Sequence, residues 1–247
     1  MDLKTFFKEN PKVALGFSGG VDSAYLLYAA KYYEADVRPY FIKTVFQPQF
    51  ELEDAKRLAE QLEVELFVIE QDILCHESVA ENPADRCYHC KSVLFGTLQK
   101  QAKEDGYAVL IDGTNASDDS GDRPGMRVLK ELSVKSPLRL CGLTKTQVRS
   151  LSKEAGLFTW DKPAYACLAT RVPTDAYITE EQLKKVEKAE NFLFKKGFSD
   201  FRVRLFSNAA RLQLTSEQFM KAAEMREEIV AGLKPIFPVV LLDMEGR

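Results

Sequence analysis

Val13-Ala14-Leu15-Gly16-Phe17-Ser18-Gly19-Gly20-Val21-Asp22-Ser23 is the stretch on which the fold turns. Its first five residues form an apolar run of strand length. Behind it, Ala24-Tyr25-Leu26-Leu27-Tyr28-Ala29-Ala30 carries helical apolar spacing, so the sequence reads strand, small-residue turn, helix. Such a junction is an anion site. Gly19 and Gly20 let the backbone approach an anion closely, free N–H groups at the helix start point at it, and Ser18 and Ser23 add hydroxyl donors. Asp22 has the wrong charge to bind a phosphate directly and suits a metal instead. The pattern is not the GxxxxGK[ST] loop. An accidental Gly-Gly turn is the competing reading, and all six residues 18–23 in strand–turn–helix context argue against it.

Working outward, Val37-Arg38-Pro39-Tyr40-Phe41-Ile42 reads as a second strand, residues 50–62 as a helix and Val64-Glu65-Leu66-Phe67-Val68-Ile69 as a third strand. A helix over 93–103 leads to a buried strand, Ala108-Val109-Leu110-Ile111, that ends in Asp112-Gly113-Thr114-Asn115. Strands alternating with helices predict an α/β fold built on a doubly wound parallel sheet, with ligands beyond the C-terminal strand ends. Residues 116–125 are acidic and contain Gly and Pro, which reads either as a mobile loop over the site or as a solvated connector. Ser136-Pro137-Leu138 is expected to return to the sheet, and Thr144 to cap a helix over 145–155 that Gly156 ends. The proline-bounded stretch from Trp160-Asp161-Lys162-Pro163 to Arg171-Val172-Pro173 reads as inter-domain. Beyond it, Thr179 caps a helix that Gly197 stops, and residues 201–206 and 210–214 form a hairpin across Ser207-Asn208. A helix over 216–233 and a strand over 237–242 complete a smaller α/β sandwich. The expected division is 1–165 and 166–247.

The 247 residues leave room for one large and one smaller domain, and a hydrophobic content of 45% is enough for a core. A net charge of −3 gives no global pull toward nucleic acid or an anionic membrane. No apolar run approaches membrane-span length and the N-terminus lacks a signal-peptide core, so a cytoplasmic protein is expected. Five cysteines in a reducing compartment read as thiols, metal ligands or catalytic groups rather than a disulfide framework.

Cys75 and Cys141 lie in or beside apolar runs and read as small buried hydrophobes. Cys87-Tyr88-His89-Cys90 lies in a polar stretch, where two thiolates at this spacing chelate a metal or form a redox pair. No second CxxC or CxxH exists for a structural zinc, although His76 and His89 are available. Cys167, with Arg171 nearby, reads equally as an activated nucleophile or as a packed thiol. Strand periodicity puts Arg202 and Arg204 on one face, either as a phosphate grip or as the solvated polar face of a half-buried sheet.

Residues 18–23 resemble the PP-loop of N-type ATP pyrophosphatases, which cut ATP between its α and β phosphates. Added to them are Asn82-Pro83-Ala84-Asp85-Arg86-Cys87-Tyr88-His89-Cys90-Lys91, Asp112-Gly113-Thr114-Asn115, Arg123-Pro124-Gly125, Ser136-Pro137-Leu138 and Cys167-Leu168-Ala169-Thr170-Arg171. With this set the chain resembles the LarE family over nearly its whole length. The resemblance implies an adenine nucleotide alpha hydrolase-like fold. It also implies an enzyme that inserts sulfur into pyridinium-3,5-biscarboxylic acid mononucleotide for a nickel-pincer nucleotide cofactor. ATP and magnesium would convert a substrate carboxylate to an acyl-adenylate, using Ser18, Gly19, Gly20, Asp22, Ser23 and Thr114, with Asp22 on the magnesium. Arg202, Arg204, Arg171 and Glu190 would serve the substrate. Sulfur would come from a 4Fe–4S cluster on Cys87, Cys90 and Cys167, three thiolates leaving one iron open for a sulfide. The alternative is Cys167 itself, spent as dehydroalanine. Homo-oligomers are implied, with a small-molecule partner and no nucleic acid or membrane.

The PP-loop alone does not choose a substrate. A tRNA-thiolating enzyme would need a basic RNA surface. An ammonia-dependent amide ligase and a non-catalytic nucleotide- or metal-binding protein are further alternatives, and substrate-dependent pyrophosphate release excludes the last.

Overall fold

A computed structural model describes residues 1–118 and 124–247. The chain divides into two compact units, Met1–Asp72 with Asp85–Lys162, and Ile73–Ala84 with Pro163–Arg247. Among the described residues no helix is long and apolar enough to cross a membrane.

In the first unit, β1 (Lys12–Gly16), β2 (Asp36–Lys43), β3 (Phe67–Glu70) and β4 (Leu110–Ile111) form a parallel sheet in the order β3-β2-β1-β4. Period-two alternation then builds a core on each face. Val13 and Leu15 of β1, with Phe41 of β2, join the core beneath the Leu3–Glu9, Val21–Tyr32 and Gln49–Gln61 helices. Ala14, Tyr40 and Ile42 join the opposite one, with Leu98 and Ala102 of the Arg86–Glu104 helix. The sheet is doubly wound, as the alternation of elements predicts. Its order reverses between β1 and β4, and a crevice for ligands opens beyond the C-terminal strand ends at such a reversal.

Several local expectations shift: the third strand runs over Phe67–Glu70 and the fourth is only Leu110–Ile111. The sheet is rejoined one residue before Ser136, through a bridge between Ile111 and Lys135, and Pro137–Leu140 is a helical turn. Proline has no N–H to give a ladder, but is suited to a first helical turn. The helix expected at residue 93 begins at Arg86, so both thiols of the CxxC lie on it. The Leu3–Glu9 helix, capped by Asp2 and burying Leu3, Phe6 and Phe7, is an element additional to those expected.

The second unit is a three-stranded sheet in the order β5-β6-β7. β5 (Arg202–Phe206) and β6 (Ala209–Gln213) are an antiparallel hairpin, and β7 (Val239–Leu242) runs parallel to β6. Ser207 takes the left-handed conformation that a two-residue hairpin loop requires (φ 51°). The Glu180–Lys195 helix is held at its start by the reciprocal Thr179–Gln182 capping box. It buries Leu183, Val186, Ala189, Glu190 and Leu193 as one stripe. The helix expected over 216–233 is broken at Met225 into Phe219–Glu224 and Arg226–Leu233. Ile73–Ala84 joins this unit because Asn82 Nδ2 donates to Pro173 O at 2.7 Å and Ile178 N to Ala80 O at 2.7 Å.

Candidate active site

In the first unit, two loops leave the neighbouring C-terminal ends of β1 and β4. In the first, Gly19 turns back with φ 69°, and a Cβ there would lie 3.2 Å from Glu51 O and from the backbone and side chain of Ala55. Ser18 and Ser23 close the turn, their hydroxyls 3.1 Å apart, with Ser23 Oγ donating to Gly20 O at 3.2 Å. The Val21–Tyr32 helix starts here, so its first N–H groups and positive dipole end face the loop. In the second loop, a Cβ on Gly113 would lie 2.9 Å from Ser23 N, so only glycine lets the chain pass against that helix start.

The second loop is pinned on every side. Asp112 is buried and accepts from Thr114 Oγ1 at 2.5 Å and Ser136 Oγ at 2.6 Å. Burial pushes its carboxyl above the usual range, against the pull of those two hydroxyls and of Lys91. Asn115 donates to Asp22 Oδ1 at 3.3 Å, and the Lys145 ammonium is hydrogen-bonded to Asp22 Oδ2. Lys145 is fixed in turn by the Thr144–Gln147 capping box and by its own N–H on Ser117 Oγ at 2.9 Å. A carboxylate and an ammonium therefore stand beside the start of the Val21–Tyr32 helix, the end of a helix that favours anions.

The chemistry of this donor set fits magnesium. Mg²⁺ is commonly held by one or two carboxylates plus the phosphates of its substrate, and Asp22 is half-buried at the loop. For iron–sulfur chemistry, Cys87 and Cys90 are spaced to share a face on the first turns of the Arg86–Glu104 helix. Cys87 is exposed, Cys90 half-buried, and an Arg86 guanidinium nitrogen lies 3.8 Å from Cys87 Sγ. The CxxC offers a cluster two thiols. No three His, Cys, Asp or Glu side chains are gathered as metal ligands among the described residues. None of the five cysteines is in a disulfide; Cys75 is exposed rather than buried, and Cys141 half-buried against the core.

The second unit gathers Cys167, Arg171, Glu190, Arg202 and Arg204. Cys167 precedes the short 3-10 turn Leu168–Arg171. Arg171 and Glu190, each 1% exposed, form a two-point ion pair through Nε at 2.8 Å and Nη2 at 3.1 Å. Glu190 also accepts from Val203 N at 2.9 Å and from the Tyr165 hydroxyl, so both its oxygens are engaged. On sequence alone it is an ordinary helical glutamate; the structure puts it in the core. Burial works against the Arg171 charge, and the Glu190 carboxylate outweighs it, leaving the guanidinium pKa raised.

Arg202 and Arg204 share a strand face as the alternation predicts, and that face is partly covered, with Arg202 buried and Arg204 half-buried. Arg202 is 6% exposed and donates to Phe201 O at 2.6 Å and Ala164 O at 3.0 Å. Arg204 donates to Gln213 Oε1 and Thr170 O, both at 2.5 Å. Burial first, then Arg171 and Arg247, brings the Arg202 pKa down to about 10. Arg204 is lowered by burial and by Arg171.

Sequence reasoning places the Asp112–Asn115 turn at the ligand end of the sheet but gives Asp112 and Asn115 no individual role, and it gives none to Lys145 or Tyr165. Lys145 left a trace: a cation at the first position of a helix opposes the dipole, so its charge needs another partner. Residue 123 of the Arg-Pro-Gly motif, and 119–123 of the expected loop, lie outside the described residues.

No protein-family model matches the chain. An uncharacterized protein of Synechocystis sp. is 36% identical over 251 residues, covering 99% of this chain and 93% of its own. The pyridinium-3,5-bisthiocarboxylic acid mononucleotide synthase of Lactiplantibacillus plantarum is 28% identical over 247 residues, 99% of this chain and 90% of its own. The chain belongs to the LarE family. A tRNA-specific 2-thiouridylase, MnmA of Thermotoga petrophila, is 26% identical over 59% of this chain and 52% of its own. LarE similarity thus extends over both units, whereas this thiouridylase matches only part of the chain.

Proposed function

We propose that this LarE protein is an ATP-dependent, adenylating sulfurtransferase that makes a thiocarboxylate on pyridinium-3,5-biscarboxylic acid mononucleotide for nickel-pincer cofactor synthesis. The observation that carries the reading is the two-loop cradle with its Asp22–Lys145 pair, in a chain similar over 99% of its length to the bisthiocarboxylic acid mononucleotide synthase.

The N–H groups of the 18–20 turn and the helix start, with the Ser18, Ser23 and Thr114 hydroxyls, take the ATP phosphates. Asp22 would hold magnesium, which when bound would offset charge on the ATP phosphates, and the Lys145 ammonium, hydrogen-bonded to Asp22 Oδ2, is placed to neutralise charge on the leaving pyrophosphate. A substrate carboxylate oxygen attacks the α-phosphorus, the bond to the bridging oxygen breaks, and pyrophosphate leaves. A sulfur nucleophile then adds to the activated carbonyl and AMP departs.

Arg202 and Arg204 bind the substrate phosphate, while Arg171 and Glu190 act behind them: Glu190 orients Arg171, and Arg171 holds the Cys167 backbone. Cys87, Cys90 and Cys167 are the residues that would hold a 4Fe–4S cluster, which supplies a transferable sulfide when bound. A mononucleotide rather than RNA as partner, a homo-oligomeric assembly and a cytoplasmic location complete the proposal.

Iron, acid-labile sulfide and visible absorption on anaerobically reconstituted protein, beside Cys87→Ser, test the sulfur source. An iron–sulfur band lost in the variant is expected. Absence of a cluster, with Cys167 converted to dehydroalanine after turnover, would overturn the cluster assignment in favour of sacrificial transfer. Absence of substrate-dependent pyrophosphate release would overturn the enzyme reading itself.

A further inference from the structure

Three guanidiniums strap down the peptide that carries Cys167. Arg202 Nη2 holds Ala164 O at 3.0 Å, and Arg171 Nη1 holds Ala166 O at 2.9 Å with Cys167 O at 3.4 Å. Arg204 Nη1 holds Thr170 O at 2.5 Å. The three straps differ in what else they bind. Arg171 is neutralised by Glu190, a fixed buried partner. Neither Arg202 nor Arg204 forms an ion pair among the described residues, and the hydrogen bonds of both go to neutral oxygens. Burial and the neighbouring arginines lower both pKa values, the mark of positive charge without a matching counter-charge. A phosphate dianion offers such groups much stronger, two-point hydrogen bonds than a peptide carbonyl does.

We propose that Arg202 and Arg204 are shared between the Cys167 peptide and the substrate phosphate. A bound phosphomonoester draws them off Ala164 O and Thr170 O and loosens both ends of the 164–170 segment, while Arg171 keeps its hold on Ala166 O, Cys167 O and Thr170 Oγ1. This rests on the reading above that the paired arginines meet the substrate phosphate. It adds a specificity function: the phosphate unlocks the sulfur-handling segment as well as anchoring the substrate. The nucleoside lacks that key, so the two arginines select mononucleotide over nucleoside at the step that presents Cys167. Tyr165 spaces the device, its ring 4.6 Å from the Arg171 guanidinium and 5.3 Å from that of Arg202, with its hydroxyl on Glu190.

Amide hydrogen exchange of the peptide covering 164–172 is the direct readout, because Thr170 N and Val172 N are bonded within this segment. Three ligands are compared on the full chain: pyridinium-3,5-biscarboxylic acid mononucleotide, its riboside and inorganic phosphate. Exchange in 164–172 is expected to rise about tenfold with the mononucleotide and with saturating phosphate, the scale set by losing one charge-assisted hydrogen bond, and to stay unchanged with the riboside. An ordinary binding contact would slow exchange instead. Arg204→Gln should exchange fast without ligand and respond to none. Should that variant not fold, Arg202→Gln, which removes the strap on Ala164 O, is the substitute, with the same expectation.

Unchanged or slowed exchange in protein that calorimetry shows to bind the mononucleotide would overturn the inference and leave the proposed function standing. Absence of both mononucleotide and phosphate binding would overturn the phosphate assignment and the inference with it.

Discussion

Lys145 stands at the first position of its helix, where the dipole disfavours a cation, and its ammonium is engaged by Asp22. Both side chains are partly exposed, so the pair is worth no more than about 1 kcal/mol to the fold. On the proposed function its value lies at the nucleotide. Lys145→Met is expected to slow pyrophosphate release on the order of 100-fold, the usual loss for one pre-placed charge-stabilising group, while the melting temperature barely moves. Release at the wild-type rate would remove Lys145 from the chemistry. Glu190 is the opposite kind of residue: its four hydrogen bonds all run to the protein, so its effects act through Arg171, Tyr165 and β5.

At the scale of elements, the site depends on how closely the 112–115 turn passes the Val21–Tyr32 helix. A Cβ on Gly113 meets backbone there, which side-chain motion cannot relieve. Gly113→Ala is therefore expected to cost about 1–3 kcal/mol and to weaken ATP binding. Gly96 is the control. It sits inside the Arg86–Glu104 helix with nothing within 4 Å of its Cβ position, so Gly96→Ala should stabilise by about 0.5–1 kcal/mol. Urea unfolding of both variants beside nucleotide titration checks the pair; equal and small effects would mean that the two loops are not in register as described. Most of these elements were legible in the sequence. Thr144 and Thr179 cap as expected because capping boxes are written within four residues. The early start of the CxxC helix was not, because Arg86 to Ser92 lacks an apolar stripe to announce it.

Across the whole molecule, each unit carries its own sheet and core, and the only tryptophan, Trp160, belongs to the first. Glu190→Gln leaves the Arg171 guanidinium buried without its counter-charge, a loss of about 3–5 kcal/mol for a broken buried pair, and the loss falls on the second unit. In urea, the transition seen by circular dichroism should move to lower concentration more than the one seen by Trp160 fluorescence; equal shifts would show that the two units unfold together. The parallel doubly wound sheet, the strand–turn–helix junction at Ser18–Ser23 and the hairpin with its two arginines are legible in the chain alone. These follow from periodicity, glycine placement and capping, which act over a few residues. Long-range packing brings Lys145 to Asp22, buries Glu190 against Arg171, sets Arg202 and Arg204 on the Cys167 peptide and joins Ile73–Ala84 to the second unit. Each joins groups from 19 to more than 100 residues apart, and such pairings are fixed by packing and by the need of buried polar groups for partners, which leave no local mark on the chain.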